Sequence, residues 1–324
     1  MTHYVRGHNK SIARFRCALL DAAGGRGGEG GIQPVTTPAQ RLKTALEAPG
    51  LHLMPCCFDA LSARLIEQAG FRVSLMSGFA VSATRLGMPD TGLISFAEML
   101  DQLRNVCQAA PGLLVIGDGD TGYGNAMNVQ RTVRDYARAG AAAVLIEDQV
   151  SPKRCGHTKG KQVVGRAEAR MKIRAAVDAA RSGSDDILIL ARTDARAVHG
   201  FDAALERCQD FVEEGADIIF MEAPHDAAEM AAFCAGIDRP AMANMVRGGQ
   251  TPILPPHELE ALGFKLAAYP LTLMSAAIDA MRTALAAVAD GREGHVAQAD
   301  FEALKTLVGF PDYYEREQAY RAAE

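Results

Sequence analysis

Short apolar runs alternate along the chain with longer stretches whose apolar positions recur every three or four residues. The runs are 51-LHLMPC-56, 73-VSLM-76, 113-LLVIGD-118, 143-AVLIE-147, 187-ILILAR-192, 217-DIIFME-222, 241-AMAN-244 and 264-FKLAAY-269. Their length and bounding turn residues predict eight strands. Between them, 59-DALSARLIEQAG-70, 95-SFAEMLDQLRNVCQ-108, 128-NVQRTVRDYARAG-140, 167-AEARMKIRAAVDAA-180 and 202-DAALERCQDFVEEG-215 carry the helical period. Strands that are apolar on both faces and separated by helices imply parallel pairing, and eight such units close most naturally as an α/β (β/α)8 TIM barrel. An open doubly wound sheet is the alternative, and the lack of a GxGxxG after the first strand weighs against it.

The stretch 22-AAGGRGGEGGIQ-33 is too rich in glycine to bury a core, so residues 1–36 read as a flexible extension. Thr37, followed by Pro38, predicts a capped helix through 39-AQRLKTALEA-48. The barrel then occupies residues 37–292. In residues 293–324 the pattern predicts helix, turn, helix, with Phe310, Tyr313 and Tyr314 free to pack on a neighbouring subunit or, equally, within the chain.

Composition narrows the partners. The 324 residues carry 34 Lys and Arg against 39 Asp and Glu, a net charge of −5, with the two signs interspersed, which argues against nucleic acid. No unbroken run of about 18 apolar residues and no signal-peptide order is present, so neither a membrane helix nor secretion is expected and the location reads as cytoplasmic. Seven scattered cysteines without CxxC spacing suit reduced thiols better than disulfides or a zinc site. A small molecule is the expected partner.

Asp118, Glu147, Arg192, Glu222 and Asn244 each fall at the C-terminal end of a different predicted strand, where a barrel gathers its active site. In 117-GDGDTGYGN-125, Asp118 and Asp120 stand two apart in an extended chain, so their carboxylates point to one side and suit a hard cation, Mg2+ or Mn2+. A plain turn is the other reading. Glu147 and Asp148 add two acids at the same end. Arg192 predicts either a bidentate partner for a substrate carboxylate or an ion pair with Glu222 or Asp194. Last, 147-EDQVSPKRCGHTKGKQ-162 sets Cys155 beside Lys153, Arg154 and His157. Cations there would lower the thiol pKa and make it a nucleophile or proton donor, and glycines at 156 and 160 would let the loop fold over the site.

These motifs, with 77-SGFAVSATRLGMPD-90, 191-ARTDA-195 and 269-YP-270, resemble the isocitrate lyase and phosphoenolpyruvate mutase superfamily over roughly residues 37–290. KRCGH resembles the branch that cleaves carbon–carbon bonds. The resemblance implies a barrel whose eighth helix is exchanged between subunits, usually in a dimer of dimers, and Mg2+ near Asp90, Asp118, Asp120 and Glu147, partly through water. It implies that Ser77, Gly78, Phe79, Asp90 and Arg192 hold an α-keto acid fragment and that Glu222 and Asn244 border it. Gly156 and His157 would bind the leaving fragment, and Cys155, with Lys153 and Arg154 beside it, would supply the proton. The implied activity is an oxo-acid lyase splitting a 2,3-dimethylmalate-like or 2-methylisocitrate-like dicarboxylate. Leu75 stands where methylisocitrate lyases tend to have tyrosine, Thr158 follows CGH where tricarboxylate-cleaving members tend to have arginine, and 244-NMVRGG-249 lacks a hydroxyl-rich motif. A smaller leaving fragment is therefore expected. The alternatives are an oxaloacetate hydrolase, which Thr272 mildly disfavours, an oxaloacetate decarboxylase, and a mutase or hydrolase of phosphonates resembling carboxyphosphonoenolpyruvate mutase.

Overall fold

The computed structural model describes residues 36–156, 160–183 and 186–321, so the readings of residues 1–35, His157 and Thr158 lie outside the described residues. Thr37 caps helix α1 (Pro38–Glu47) as expected, accepting the amide of Gln40. The chain continues through β1 (His52–Pro55), α2 (Ala60–Gln68), β2 (Val73–Met76), α3 (Gly78–Val81), α4 (Phe96–Ala109), β3 (Leu114–Asp118), α5 (Ala126–Ala139) and β4 (Ala143–Glu147). After it come α6 (Arg166–Arg181), β5 (Leu188–Thr193), α7 (Arg196–His199), α8 (Phe201–Glu213), β6 (Ile218–Met221), α9 (Ala227–Ala235), β7 (Ala241–Asn244), α10 (Pro256–Ala261) and β8 (Phe264–Tyr269). The long α11 (Thr272–Ala289) and the pair α12 (Phe301–Val308) and α13 (Phe310–Gln318) complete the described chain.

All eight strands run parallel in one sheet, ordered β1-β8-β7-β6-β5-β4-β3-β2. The remaining seam, between β1 and β2, is stitched just past the strand ends. There Cys57 N donates to Leu75 O at 3.0 Å and Ser77 N to Cys57 O at 3.0 Å. Ser74 Oγ reinforces it, donating to Pro55 O at 2.8 Å. The chain is thus a (β/α)8 barrel rather than an open sheet.

Two cores hold it. Met54, Ile116, Leu145, Leu190, Phe220, Met242 and Leu266 fill the barrel interior, and Leu42 and Leu46 of α1 join that cluster and plug its N-terminal end. The outer cluster lies between strands and helices, with Met99, Val133, Ile173, Phe211 and Phe233 facing the sheet. Each such side chain contributes roughly 1.5–3 kcal/mol through removal of apolar surface from water.

Helix α11 departs from this pattern. Met281, Leu285 and Val288 are exposed. Among the described residues it is the one helix long and apolar enough on average to cross a membrane, although Asp279 and Arg282 interrupt its run. The α12–α13 hairpin also exposes its apolar side, including Phe301, Tyr313 and Tyr314.

Candidate active site

The pleat of the strands builds a floor and a rim. Side chains two apart on a strand share a face, and inward-facing pairs recur as Leu75 and Ser77, Leu145 and Glu147, Phe220 and Glu222, and Met242 and Asn244. The apolar member lies deeper and the polar member at the C-terminal mouth, around a cavity of about 70 Å3 whose lining includes both. Most of the expected residues line it: Ser77, Phe79, Asp90, Asp118, Glu147, Lys153, Arg154, Cys155, Gly156, Arg192, Glu222 and Asn244. Gly78 and Asp120 sit immediately behind, each bonded through its amide to Asp118 at 3.0 Å.

The acids gather, but not through an extended chain. Asp120 lies past the end of β3 with φ 48°, so a turn rather than the pleat brings it back toward Asp118. Gly78 has to be glycine, since a Cβ there would lie 2.4 Å from Asp118 Oδ2. The Lys153 ammonium enters this group, 2.7 Å from both oxygens of Asp90 and 2.8 Å from Asp120 Oδ1. Burial works against that charge, yet Asp120, Asp118, Glu147 and Asp90 outweigh it and hold the lysine pKa well above its ordinary value. Asp148 does not belong to the group. Adjacent strand residues face opposite ways, and its carboxylate turns outward to accept Asp194 N at 2.9 Å, Thr193 Oγ1 at 2.7 Å and Arg207 Nη1 at 2.9 Å.

The remaining charge is negative and buried. Burial and then Asp120 raise the Asp118 pKa to about 6. Burial also raises Glu147 well above the usual carboxylate range, against the pull of Arg192, and its Oε1 has no hydrogen-bond partner among the described residues. No three of the described acids, cysteines or histidines converge tightly enough to cage an ion alone. The unpartnered Glu147 Oε1 in a cavity shared with Asp118 and Asp90 fits Mg2+, which keeps several waters and takes one or two carboxylates plus substrate oxygens. In metal-free protein the Asp118 carboxyl, followed by 13C NMR, is expected to titrate near pH 6 and to shift downward when Mg2+ is added. Because its folded pKa lies above the unfolded 3.8, the stability it lends below pH 4 is lost as pH rises through about 6.

Arg192 makes the ion pairs that were one of its two expected readings. It lies 2.8 Å from Asp194 Oδ2, 3.0 Å from Glu222 Oε2 and 3.3 Å from Glu147 Oε2, and its guanidinium carbon stands 5.2 Å from the centroid of the Phe220 ring. Burial would raise Asp194, but Arg192 and Lys161 outweigh it and hold it at about 2. Glu222 also accepts Asn244 Nδ2 at 3.2 Å.

The loop after β4 folds back as a narrow ribbon, with Val150 N bonded to Gln162 O and Val164 N to Asp148 O, each at 2.9 Å. The Gln149 side chain brackets the Arg154 backbone, donating to its carbonyl and accepting its amide at 2.9 Å. Cys155, half-buried, lines the cavity. A Cβ on Gly156 would lie 2.4 Å from Arg192 Nη2 and 2.6 Å from Glu222 Oε2, so glycine alone lets this peptide rest on that ion pair. The loop sequence suggested Lys153 as a cation acting on the thiol. Its ammonium is paired with Asp90 and Asp120.

A family model described as phosphoenolpyruvate phosphomutase matches residues 42–289. The chain belongs to that family. It is 44% identical over 243 residues to 2,3-dimethylmalate lyase of Eubacterium barkeri, covering 75% of this chain and 83% of the relative. It is 40% identical over 295 residues to the chloroplastic carboxyvinyl-carboxyphosphonate phosphorylmutase of Arabidopsis thaliana, covering 89% and 86%. A crystal structure of 2,3-dimethylmalate lyase, a member of the PEP mutase/isocitrate lyase superfamily, superposes with a TM-score of 0.85 at 34% identity, covering 90% of this chain and 98% of that one.

Within this phosphomutase-family barrel, sequence reasoning missed the apolar floor and two of the loop's tethers. The floor was available in the period of two: stepping back two residues from each polar strand end gives Leu75, Leu145, Phe220 and Met242. Val246, Pro270 and Leu271 extend it from the loops after β7 and β8. Gln149 and Lys161 carry no such signal, because only the loop's path brings them to their partners.

Proposed function

We propose that this protein is a Mg2+-dependent carbon–carbon lyase that splits an alkyl-substituted malate into an α-keto acid and a carboxylate, with Cys155 as the general acid. The observation that carries this reading is that Cys155 lines the same small cavity as Asp90, Asp118, Glu147 and Arg192. A proton donor thereby faces an anion-binding group and a carboxylate cluster suited to a cation. Asp90, Asp118, Asp120 and Glu147 would hold the ion, directly or through water, and Mn2+ would substitute for it. When bound, the ion supplies Lewis acidity to the substrate hydroxyl.

Arg192 and Ser77 hold the keto-acid end, and Asn244, Glu222 and the Gly156 backbone border it. Leu75 leaves the floor without a proton acceptor, so the hydroxyl proton passes to the carboxylate rim. As the carbon–carbon bond breaks, its electron pair moves onto the leaving carboxylate fragment, and Cys155 delivers the proton that quenches it. The floor of Leu75, Phe220, Met242, Val246 and Leu271 favours methyl substituents over a third carboxylate. In the same reading the exposed apolar side of α11 is covered by another subunit, in a homotetramer built as a dimer of dimers.

Pyruvate release from 2,3-dimethylmalate, 2-methylisocitrate and related malates, assayed with Mg2+, is expected for at least one of them and to stop with EDTA. If all of them fail while a phosphonate rearranges or is hydrolysed, the lyase reading is wrong. The 40% identity to a phosphorylmutase makes phosphonate chemistry the second reading, and cleavage of oxaloacetate to oxalate or CO2 is a third product test in the same assay.

A further inference from the structure

Lys161 stands five residues beyond Gly156 and has no part in the chemistry proposed above. Its ammonium is buried, the side chain only 2% exposed, and it is a deliberate placement in physical terms, because an unpaired buried lysine is costly. It donates to Gly156 O at 2.5 Å and to Asp194 Oδ1 at 2.8 Å. Asp194 is itself held from several sides. It is fully buried, its amide is bonded to Asp148 at 2.9 Å, and its two oxygens grip Arg192 at 2.8 and 3.0 Å.

We propose that Lys161 is a positioning residue that ties the Cys155–Gly156 segment to Arg192 through Asp194, so that the proton donor and the carboxylate receptor are held in one frame. The inference rests on the reading of Cys155 as the acid. Two physical effects act together. The bond to the Gly156 carbonyl holds the residue that follows Cys155. The charge also corrects the balance around Arg192, which faces Asp194, Glu222 and Glu147. One cation among three acids would repel an incoming carboxylate, and Lys161 cancels one of the three.

The test compares wild type with Lys161→Met and Lys161→Arg in the full chain. It reads kcat and KM on whichever malate the wild type cleaves, the rate at which iodoacetamide alkylates Cys155 in native protein (mapped by peptide mass), and Tm. Displacing a reacting group by about 1 Å costs on the order of 10²-fold in rate. Lys161→Met should therefore lose about 100-fold in kcat, raise KM, and alkylate faster at Cys155. Lys161→Arg should keep the wild-type alkylation rate and recover part of kcat. Should the methionine variant not fold, Lys161→Gln, whose shorter, uncharged side chain lacks the ammonium's reach to Gly156 O and Asp194 together, carries the same comparison. Unchanged Cys155 alkylation in the neutral variants overturns the proposal, whatever kcat does. If the wild type cleaves no malate, the lyase reading fails separately, and the alkylation comparison still decides the tether.

Discussion

Cys155→Ser is expected to lower turnover by about 10²–10⁴-fold, the usual worth of a positioned general acid, with KM and Tm nearly unchanged. Serine has almost the shape of cysteine, so the loop contacts around residue 155 survive: Gln149 still brackets Arg154 and Lys161 still holds Gly156. What changes is acidity, since a hydroxyl gives up its proton far less readily than a thiol. The loss should therefore fall on the proton-delivery step and not on binding. Other cysteines serve as internal controls. Cys56 and Cys208 are buried with thiol pKa values raised, mainly by burial, and have no access to the cavity. Steady-state kinetics on the cleaved malate, with Mg2+ saturating, gives the measurement. Full activity in Cys155→Ser would remove the thiol from the chemistry and favour phosphonate transfer, which needs no such acid.

The sequence carried the barrel clearly because every strand is a short, mostly apolar run and most of the expected runs finish on a polar residue. Four of the eight expected ranges, including 73–76 and 143–147, coincide with the observed strands, and the other four differ by one residue at one or both ends. Helices with a clean apolar stripe were equally legible. Helix α9 was not, because 227-AAEMAAFCA-235 is apolar almost all round and shows no period, and α10 has only six residues. The site was half legible. Strand-end polar residues such as Glu147, Arg192 and Asn244 announce themselves by position. Asp90 did not, since it lies in a loop and reaches the site by its bonds to Lys153 and, at 3.4 Å, to Ser82 Oγ. Composition could not separate Glu147 from Asp148 either. The pleat does so, sending one into the cavity and the other to Arg207. Long-range pairings of loop residues, Lys153 with Asp90 and Lys161 with Asp194, depend on the folded path alone.

That pairing of Lys153 yields the second large effect. In metal-free protein Lys153→Met should cost about 3–5 kcal/mol of stability, the usual penalty when one partner of a buried ion pair is removed. Methionine fills much of the same space, so the loss is electrostatic: Asp90 and Asp120 would lose the ammonium they share and face Asp118 and Glu147, with Arg192 reaching only Glu147. A divalent ion supplies the missing charge. At about 100 times its Kd, a ligand that binds only the folded state adds about 2.7 kcal/mol. Mg2+ should therefore restore most of the stability lost in Lys153→Met and stabilise the wild type less, because there the ammonium already shares the acids and competes with the ion. Urea unfolding of both proteins, each with EDTA and with Mg2+, reads all four values. Equal stability of variant and wild type in EDTA would mean that the lysine does not rest on the acids in solution. A variant that is destabilised but indifferent to Mg2+ would mean that the acids do not take the ion, and the lyase reading would lose its metal.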